Sequence, residues 1–573
     1  MTADTVAFPR NHPRRRQLTG RCVEAILALV ALAALAVGCG AGGPGGFEPP
    51  VGPVGDAARP PDPPFEGLTI RVATEAPNAA DDNPGTADAP LKTVQRAVQR
   101  ANQANARGQA VRILLGAGVY RESLRLVGGS EHTDAPMVVE GEPGAVLSGA
   151  DIWTDWQAQP DGSYTSAWPY TFGMAPIPGG WGQYWNSDGN GFRRDILRRS
   201  ELVFADGAPL RGVLSDDELG PGTFFVDEDN QRLDVRLPDG RSMDGVTMEV
   251  TVRRPVLLID GRTHVTVRHL TVEKGRGAIQ EAAVVVRDSE DVTVSDMLVQ
   301  LNAYNGMATS GNERLVINGS RFDDNGVLGL SGYREKDIIL EDTEIARNNW
   351  RGWPVGHEEW DSVFKWLSVH GGVARRLRVV DNLGNGFWLD TDNRNVELSE
   401  SLISGNRKGG VTLEANQGPI AVIANRICDN VEAGILDAQS DHVTLRDNHI
   451  FGNQQYNIYF AGDQSGQTAT DWETGEETSL NTRYWTVRDN VIAGSGSGQW
   501  LWWNTGPEDV WTSSRDTLSV GDNIWYHTRD APFRLPDGGM GYDAFRENLQ
   551  RSDSAHESGS VLADPGPLVC RDA

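Results

Sequence analysis

Seven asparagines set the pitch of this chain. Asn302, Asn325, Asn348, Asn382, Asn406, Asn430 and Asn453 are separated by 23, 23, 34, 24, 24 and 23 residues. Alternating segments such as HVTVRHLTV, DIILEDTEI, NVELSESLI and HVTLRDNHI recur around them. A period in the low twenties with β-branched strands and Asn/Gly corners predicts a β-solenoid, each repeat one coil stacked on the last. A sandwich offers as many strands but no fixed spacing. Asparagine tolerates left-handed backbone and bonds its neighbour in stacked turns, so the ladder itself reads as structural. The single step of 34 implies an insertion of about ten residues between Trp350 and Val363. It reads NWRGWPVGHEEWDSV, a composition suited to the rim of a cleft, with His357 as a substrate contact.

Upstream, PLKTVQRAVQRANQA places Val94, Ala97, Val98 and Ala101 on one helical stripe, and VRILLGAGVYRESLRL follows as two short strands about a glycine turn. This order resembles the amino-terminal cap of the right-handed parallel β-helix (pectin-lyase-like) superfamily. The resemblance covers roughly residues 68 to 156 and 249 to 573. It implies an all-β right-handed parallel β-helix whose capping helix plugs the open end and hides unpaired strand edges. Residues 157–248 break the pattern. They are rich in Gly, Pro, Trp and Asp, with turn signals at Asp206-Gly207 and Asp239-Gly240, and read as a small antiparallel β insertion that shields one edge or walls a cleft. The main β-helix is expected over 249–500, with the last coil and a carboxyl-terminal cap over 501–573.

The first residues read as an export signal: Arg14, Arg15, Arg16 and Arg21 precede an apolar run from Ala25 to Val37. The run is too short for a permanent membrane helix. The AVGC sequence ending at Cys39, followed by a Gly/Pro-rich stretch, resembles a bacterial lipobox and its tether. That resemblance implies a signal peptide over 1–38, a lipidated Cys39, a tether over 39–67, and an exported, membrane-anchored lipoprotein, periplasmic or at the cell surface. Cys428 and Cys570 are left as two free thiols or one bridge. The formal net charge of −27 argues against nucleic acid and anionic headgroups, leaving the lipid as the membrane contact. It also disfavours a polyanionic substrate unless a cation or a local basic cleft intervenes.

Within the repeats, GFWLD and GVTLE are set so that Asp390 and Glu414 are 24 residues apart, each four residues after a glycine. Alternation points Phe387, Leu389, Val411 and Leu413 inward. Trp388, Asp390, Asp392, Thr412, Glu414 and Asn416 then face outward on one sheet. Strands about 4.8 Å apart would stack the two carboxylates at roughly 5 Å, the separation used by retaining glycosidases. Mutual repulsion would leave one of them protonated, as a general acid requires. Lys365 lies 25 residues before Asp390, so a one-residue bulge would set it above that carboxylate. Trp388, Asp392, Arg394, Asn416, Gln417 and His357 complete the expected substrate-binding set. Asp437 follows its glycine by only three residues and aligns with the inward Leu413. Trp485, Trp500, Trp502 and Trp503 are candidates for stacking on sugar rings, with core packing the ordinary alternative.

The run WLD, answered one coil later by Glu and then N-x-G-P, resembles the catalytic region of the β-helical retaining β-xylosidases and related uncharacterised bacterial β-helix proteins. On that match Asp390 corresponds to the nucleophile and Glu414 to the acid/base. The sequence departs from the pattern in the TDN that follows Asp390, so the identity of the sugar is not carried over. A retaining glycoside hydrolase acting on an extracellular polysaccharide or oligosaccharide is therefore expected, without a cofactor. Two readings stay open beside it. One is a polysaccharide lyase or uronate epimerase, with Lys365 or an arginine as base and calcium held by Asp390, Asp392 and Glu414. The other is a non-catalytic surface protein that binds glycan or another cell.

Overall fold

The computed structural model describes residues 65–128, 135–177, 195–352, 362–462, 466–553 and 555–570. The export signal, Cys39 and His357 lie outside these residues. Successive repeats lay one strand on each of three sheets. The chain runs Asn385–Asp390, Arg394–Ser399 and Leu402–Ser404, then Val411–Glu414, Ile420–Ile423 and Arg426–Cys428. Each strand pairs in parallel with the strand one repeat later. Among the described residues the three sheets hold thirteen strands each. This is a parallel β-helix.

Its interior is a continuous apolar column in which Phe387, Leu389, Val411, Leu413 and Ile435 are fully buried. Each such side chain contributes about 2–3 kcal/mol by leaving water. Phe364 and Phe387 stack with centroids 4.5 Å apart on adjacent coils.

The corners are held by hydrogen-bonded ladders. Asn382 donates through its backbone N and Nδ2 to Oδ1 of Asn406, which does the same to Asn430. The 34-residue step leaves the ladder intact, since Asn348 bonds Asn382 in the same way. Two further ladders occupy the other corners. One runs Asn393 to Asn416 to Ser440, the other Asn425 to Asn448 to Asn490 to Asn523. Gly386 is required by close approach, because a Cβ there would lie 2.6 Å from the Gly410 carbonyl oxygen and 2.8 Å from Asn406 Nδ2.

The amino-terminal helix spans Val94–Asn105, with Thr93 accepting from the Arg96 N–H as N-cap. It buries Val94, Ala97, Ala101 and Ala104 in the main core. The insertion is wider than expected, because Ala150–Ile152 pairs antiparallel with Met248–Thr251 and so joins the two ends of the excursion. Asp206-Gly207 makes the hairpin its signal suggests. Pro238–Gly240 forms only a 3₁₀ turn. Arg211–Val213 lies parallel to Thr223–Asp227, so the insertion is not purely antiparallel. Its Leu202 and Phe204 pack with Leu301 and Ala303, on coils before those carrying the carboxylate pair. At the carboxyl end a disulfide joins Cys428 to Cys570.

Candidate functional site

The pairing register puts Asp390 beside Glu414 and Trp388 beside Thr412 on neighbouring strands. Both carboxylate residues are partly exposed, whereas the intervening Leu389 and Leu413 are buried. The expected stacking of the two acids is what the fold builds.

Lys365 joins them by a different route from the one expected. No bulge intervenes: Lys365 is level with Trp388, and Leu367 with Asp390. The lysine reaches diagonally along the outward face and sets Nζ 2.7 Å from Asp390 Oδ2. The hydroxyl of Thr391 donates to Asp390 Oδ1 at 2.8 Å. The carboxylate is thus held from both oxygens, in a place where only 8% of the lysine and 16% of the aspartate side chain meets solvent. A pair so shielded is screened much less than a surface one.

Trp388 departs from its expected role as an open platform. It is 2% exposed, and Lys365 Nζ lies 3.9 Å from its ring centroid. The indole is packing that fixes the ammonium by cation–π attraction. Its own Nε1–H has no acceptor among the described residues.

Asp392 departs further. Thr391 and Asp392 both take left-handed backbone, with φ of 45° and 60°, so the strand ends at Asp390 and the period of two is lost. Asp392 is wholly buried at the next corner. Its Oδ1 accepts from Arg394 Nε at 2.9 Å and Gln417 Nε2 at 3.0 Å. Its Oδ2 accepts from the Trp472 backbone N–H at 3.2 Å and lies 3.2 Å from His370 Nε2. Arg394 and Gln417 are thereby tied to an internal carboxylate. Asn416 is buried in a corner ladder, its Nδ2 donating to the Leu389 carbonyl. These three were expected to face substrate hydroxyls. The turn that follows each strand buries Asn416, and it engages Arg394 and Gln417, both still partly exposed, with Asp392.

The corner also holds residues that the repeat pattern did not single out. The segment after Gly462 forms an antiparallel hairpin of Gln467–Thr470 and Glu477–Leu480. Its Ala469 and Leu480 pack on Ala415, directly after Glu414. Asp471 pairs with Arg394 Nη1 at 2.9 Å, and Glu473 with His370 Nδ1 at 2.9 Å and with Lys336. Burial alone would lower the His370 pKa, but hydrogen bonds to Asp392 and Glu473 outweigh it and raise the value. His370, Asp392 and Asp471 bring potential ligand atoms within 4.8 Å of one another. Each carboxylate oxygen there already has a protein partner, Asp471 Oδ1 accepting from the Glu473 and Thr474 N–H groups. The arrangement is an ion-pair clasp holding the hairpin beside the carboxylates. The only sequence signal for it was a Gly-containing polar run, DWETGEET, between alternating residues.

Asp437 is level with Leu413 and fully buried, as its offset predicts. It accepts from Ser440 N at 2.9 Å and Thr482 Oγ1 at 2.6 Å, and burial pushes its pKa up to about 7. Trp485 and Trp502 are core residues, whereas Trp500 and Trp503 keep part of their surface exposed.

The family model described as "Right handed beta helix region" matches residues 255–413 and 367–506. Among curated proteins none matches this chain. The solved structure of XylC in complex with xylose is similar at 14% identity, with a TM-score of 0.55, covering 80% of this chain and 84% of that one. The A-module of the Azotobacter vinelandii mannuronan C-5 epimerase AlgE6 aligns at 12% identity and a TM-score of 0.45, over 86% of this chain and 100% of that one. The likeness to XylC shows the fold, in agreement with the right-handed parallel β-helix that the superfamily resemblance implied and with the three parallel sheets.

Proposed function

We propose that this right-handed parallel β-helix protein is an exported carbohydrate-active enzyme, a retaining glycoside hydrolase with Asp390 as nucleophile and Glu414 as acid/base. The observation that carries the reading is the side-by-side register of Asp390 and Glu414, with Lys365 Nζ 2.7 Å from Asp390. Two carboxyl groups one strand apart fit the short separation of a retaining mechanism, which leaves no room for a water between them and the sugar. An Asp390 oxygen attacks the anomeric carbon while Glu414 gives its proton to the departing glycosidic oxygen. Glu414 then takes a proton from water, whose oxygen displaces Asp390 with a second inversion. Lys365 and Thr391 orient the nucleophile through its two oxygens, and the lysine moves no proton. XylC, which shares the fold, binds xylose in its solved structure, and this makes a sugar ligand a reasonable occupant of the same face.

A lyase or epimerase would need a base free to reach a sugar proton, whereas Lys365 Nζ is engaged by Asp390 at 2.7 Å and by the Trp388 ring at 3.9 Å. The experiment is a panel of aryl glycosides and polysaccharides, with proton NMR of the first-formed anomer. Release of product with retained configuration, lost in Asp390→Asn and in Glu414→Gln, is expected. An inverted anomer, an unsaturated product absorbing in the ultraviolet, or full activity in the doubly substituted protein would each overturn the assignment.

A further inference from the structure

The outward row that holds Lys365 and Trp388 does not stop at the carboxylates. Following the register along the same sheet, Trp388 is level with Thr412, then Leu436, Tyr459, Trp503 and Arg534. Strands about 4.8 Å apart set Tyr459 and Trp503 roughly 10 and 15 Å from Glu414's strand. At that distance the face changes character. Tyr456 and Tyr459 stack at 4.7 Å, and Trp503 meets Tyr456 at 5.0 Å and Trp500 at 4.9 Å, both edge to face. All four rings are partly exposed. The guanidinium of Arg529 lies 3.8 Å from the Trp500 centroid, and that of Arg534 4.6 Å from Trp503.

The arginines make this more than an aromatic patch. In a chain of net charge −27, Arg314, Arg347 and Arg376 all pair with acids. Among the described residues, Arg529 and Arg534 pair with none. Arg529 spends its donors on the Ala531 and Ser497 carbonyls, which fixes its plane on Trp500 and leaves its charge unneutralised. Arg534 is exposed. Glu432 is a carboxylate whose charge acts on both tyrosines. Rigid ring faces suit the apolar faces of pyranose rings, and a guanidinium fork suits a carboxylate.

We infer that Tyr456, Tyr459, Trp500 and Trp503, with Arg529 and Arg534, form a distal subsite for a carboxylate-bearing sugar unit of a glycan chain laid along the sheet. That the subsite serves the same reaction as Asp390 and Glu414 rests on the reading above; binding at the rings and arginines does not. The substrate it defines is an acidic or acid-substituted polysaccharide, recognised a few units from the bond that reacts.

The test is affinity electrophoresis and calorimetry of the full chain with glucuronoxylan, alginate and polygalacturonate, each beside its carboxyl-reduced neutral form. At least one acidic polymer is expected to bind, more weakly after carboxyl reduction. Arg534→Gln and Trp503→Ala should each weaken it about tenfold, and Trp503→Phe much less. Arg534 is exposed, so its variant keeps the fold if Trp503→Ala does not. Equal binding by the carboxyl-reduced polymers, retention of wild-type affinity in both variants, or no retention of any polymer would overturn the subsite. Binding that persists while Asp390→Asn keeps its activity would overturn the catalytic assignment and leave the subsite standing.

Discussion

Asp390 and Asp392 are two residues apart, and a strand would have given them the same face and the same work. They differ in nearly everything. Asp390 ends its strand, stays partly open, and is held by one ammonium and one hydroxyl. Asp392 is the second of two left-handed residues, is wholly buried, and receives donors from the corner, the next coil and the inserted hairpin. A carboxylate with one contact on each oxygen and part of its surface still open to solvent is equipped to meet a substrate. One whose oxygens are all engaged is equipped to hold a structure together. The contrast teaches that in a β-helix the chemistry of an outward acid is decided by whether it precedes or follows the corner.

Substitution at the two positions should therefore fail in opposite ways. Asp390→Asn should cost about 10³-fold or more in turnover with a smaller fall in melting temperature than Asp392→Ala, since the amide oxygen can still accept a hydrogen bond from Lys365 and no coil is unpinned. Asp392→Ala should remove about 3 kcal/mol of local stability, because Arg394 and His370 lose a buried counter-charge. Hydrogen exchange is the readout, with protection lost over 466–480 and preserved in the strands of the site. Loss of turnover in Asp392→Ala with the hairpin still protected would return Asp392 to the substrate-binding role that its sequence position suggests.

The coils were legible because their period is written in residues with one structural use. Asn382, Asn406 and Asn430 each fill a corner that only a side-chain amide satisfies twice over. Asp390 and Glu414 were legible for the same reason, their offset from Gly386 and Gly410 marking the register directly. The corners themselves were not. Arg394 follows left-handed Thr391 and Asp392, and Asn416 and Gln417 follow left-handed Ala415, changes of direction that no periodicity reports. The Trp388 burial was equally hidden, because alternation tells which way a ring points and not what lies over it. The hairpin at 467–480 is a single excursion with no repeat to compare it with, so its grip on His370 and Asp392 appears only when the coils are stacked.

The buried Asp437 extends the comparison inward and carries a smaller effect. Burial raises its pKa from the ordinary aspartate value to about 7. A group raised in this way favours the folded state fully below its unfolded pKa of about 4, and that contribution is lost as pH rises through about 7. Urea unfolding of the wild type should therefore weaken as pH rises across this window. Asp437→Asn cannot titrate and should flatten that part of the profile. An unchanged slope in the variant would assign the pH dependence elsewhere, with Glu335, buried and raised to about 8, the next group to substitute.

The smallest effect tests the clasp without cutting it. His370 bridges Asp392 and Glu473, and both hydrogen bonds strengthen when the imidazole is charged. Its pKa is raised in the folded protein, so its contribution is fully present below about pH 6.5 and is lost as pH rises through the folded value. Lys336 and Arg394 still hold Glu473 and Asp471, which limits the loss to about 1 kcal/mol. Hydrogen exchange across 466–480 should accelerate severalfold between about pH 6 and pH 8.5 after correction for intrinsic rates, while the strand Asn385–Asp390 keeps its protection. In His370→Gln the hairpin should exchange at the faster rate at both values. If it keeps the wild-type dependence, the hairpin is governed by Arg394 and Lys336 alone, and the corner differs from the Asp390 face in burial but not in its response to pH.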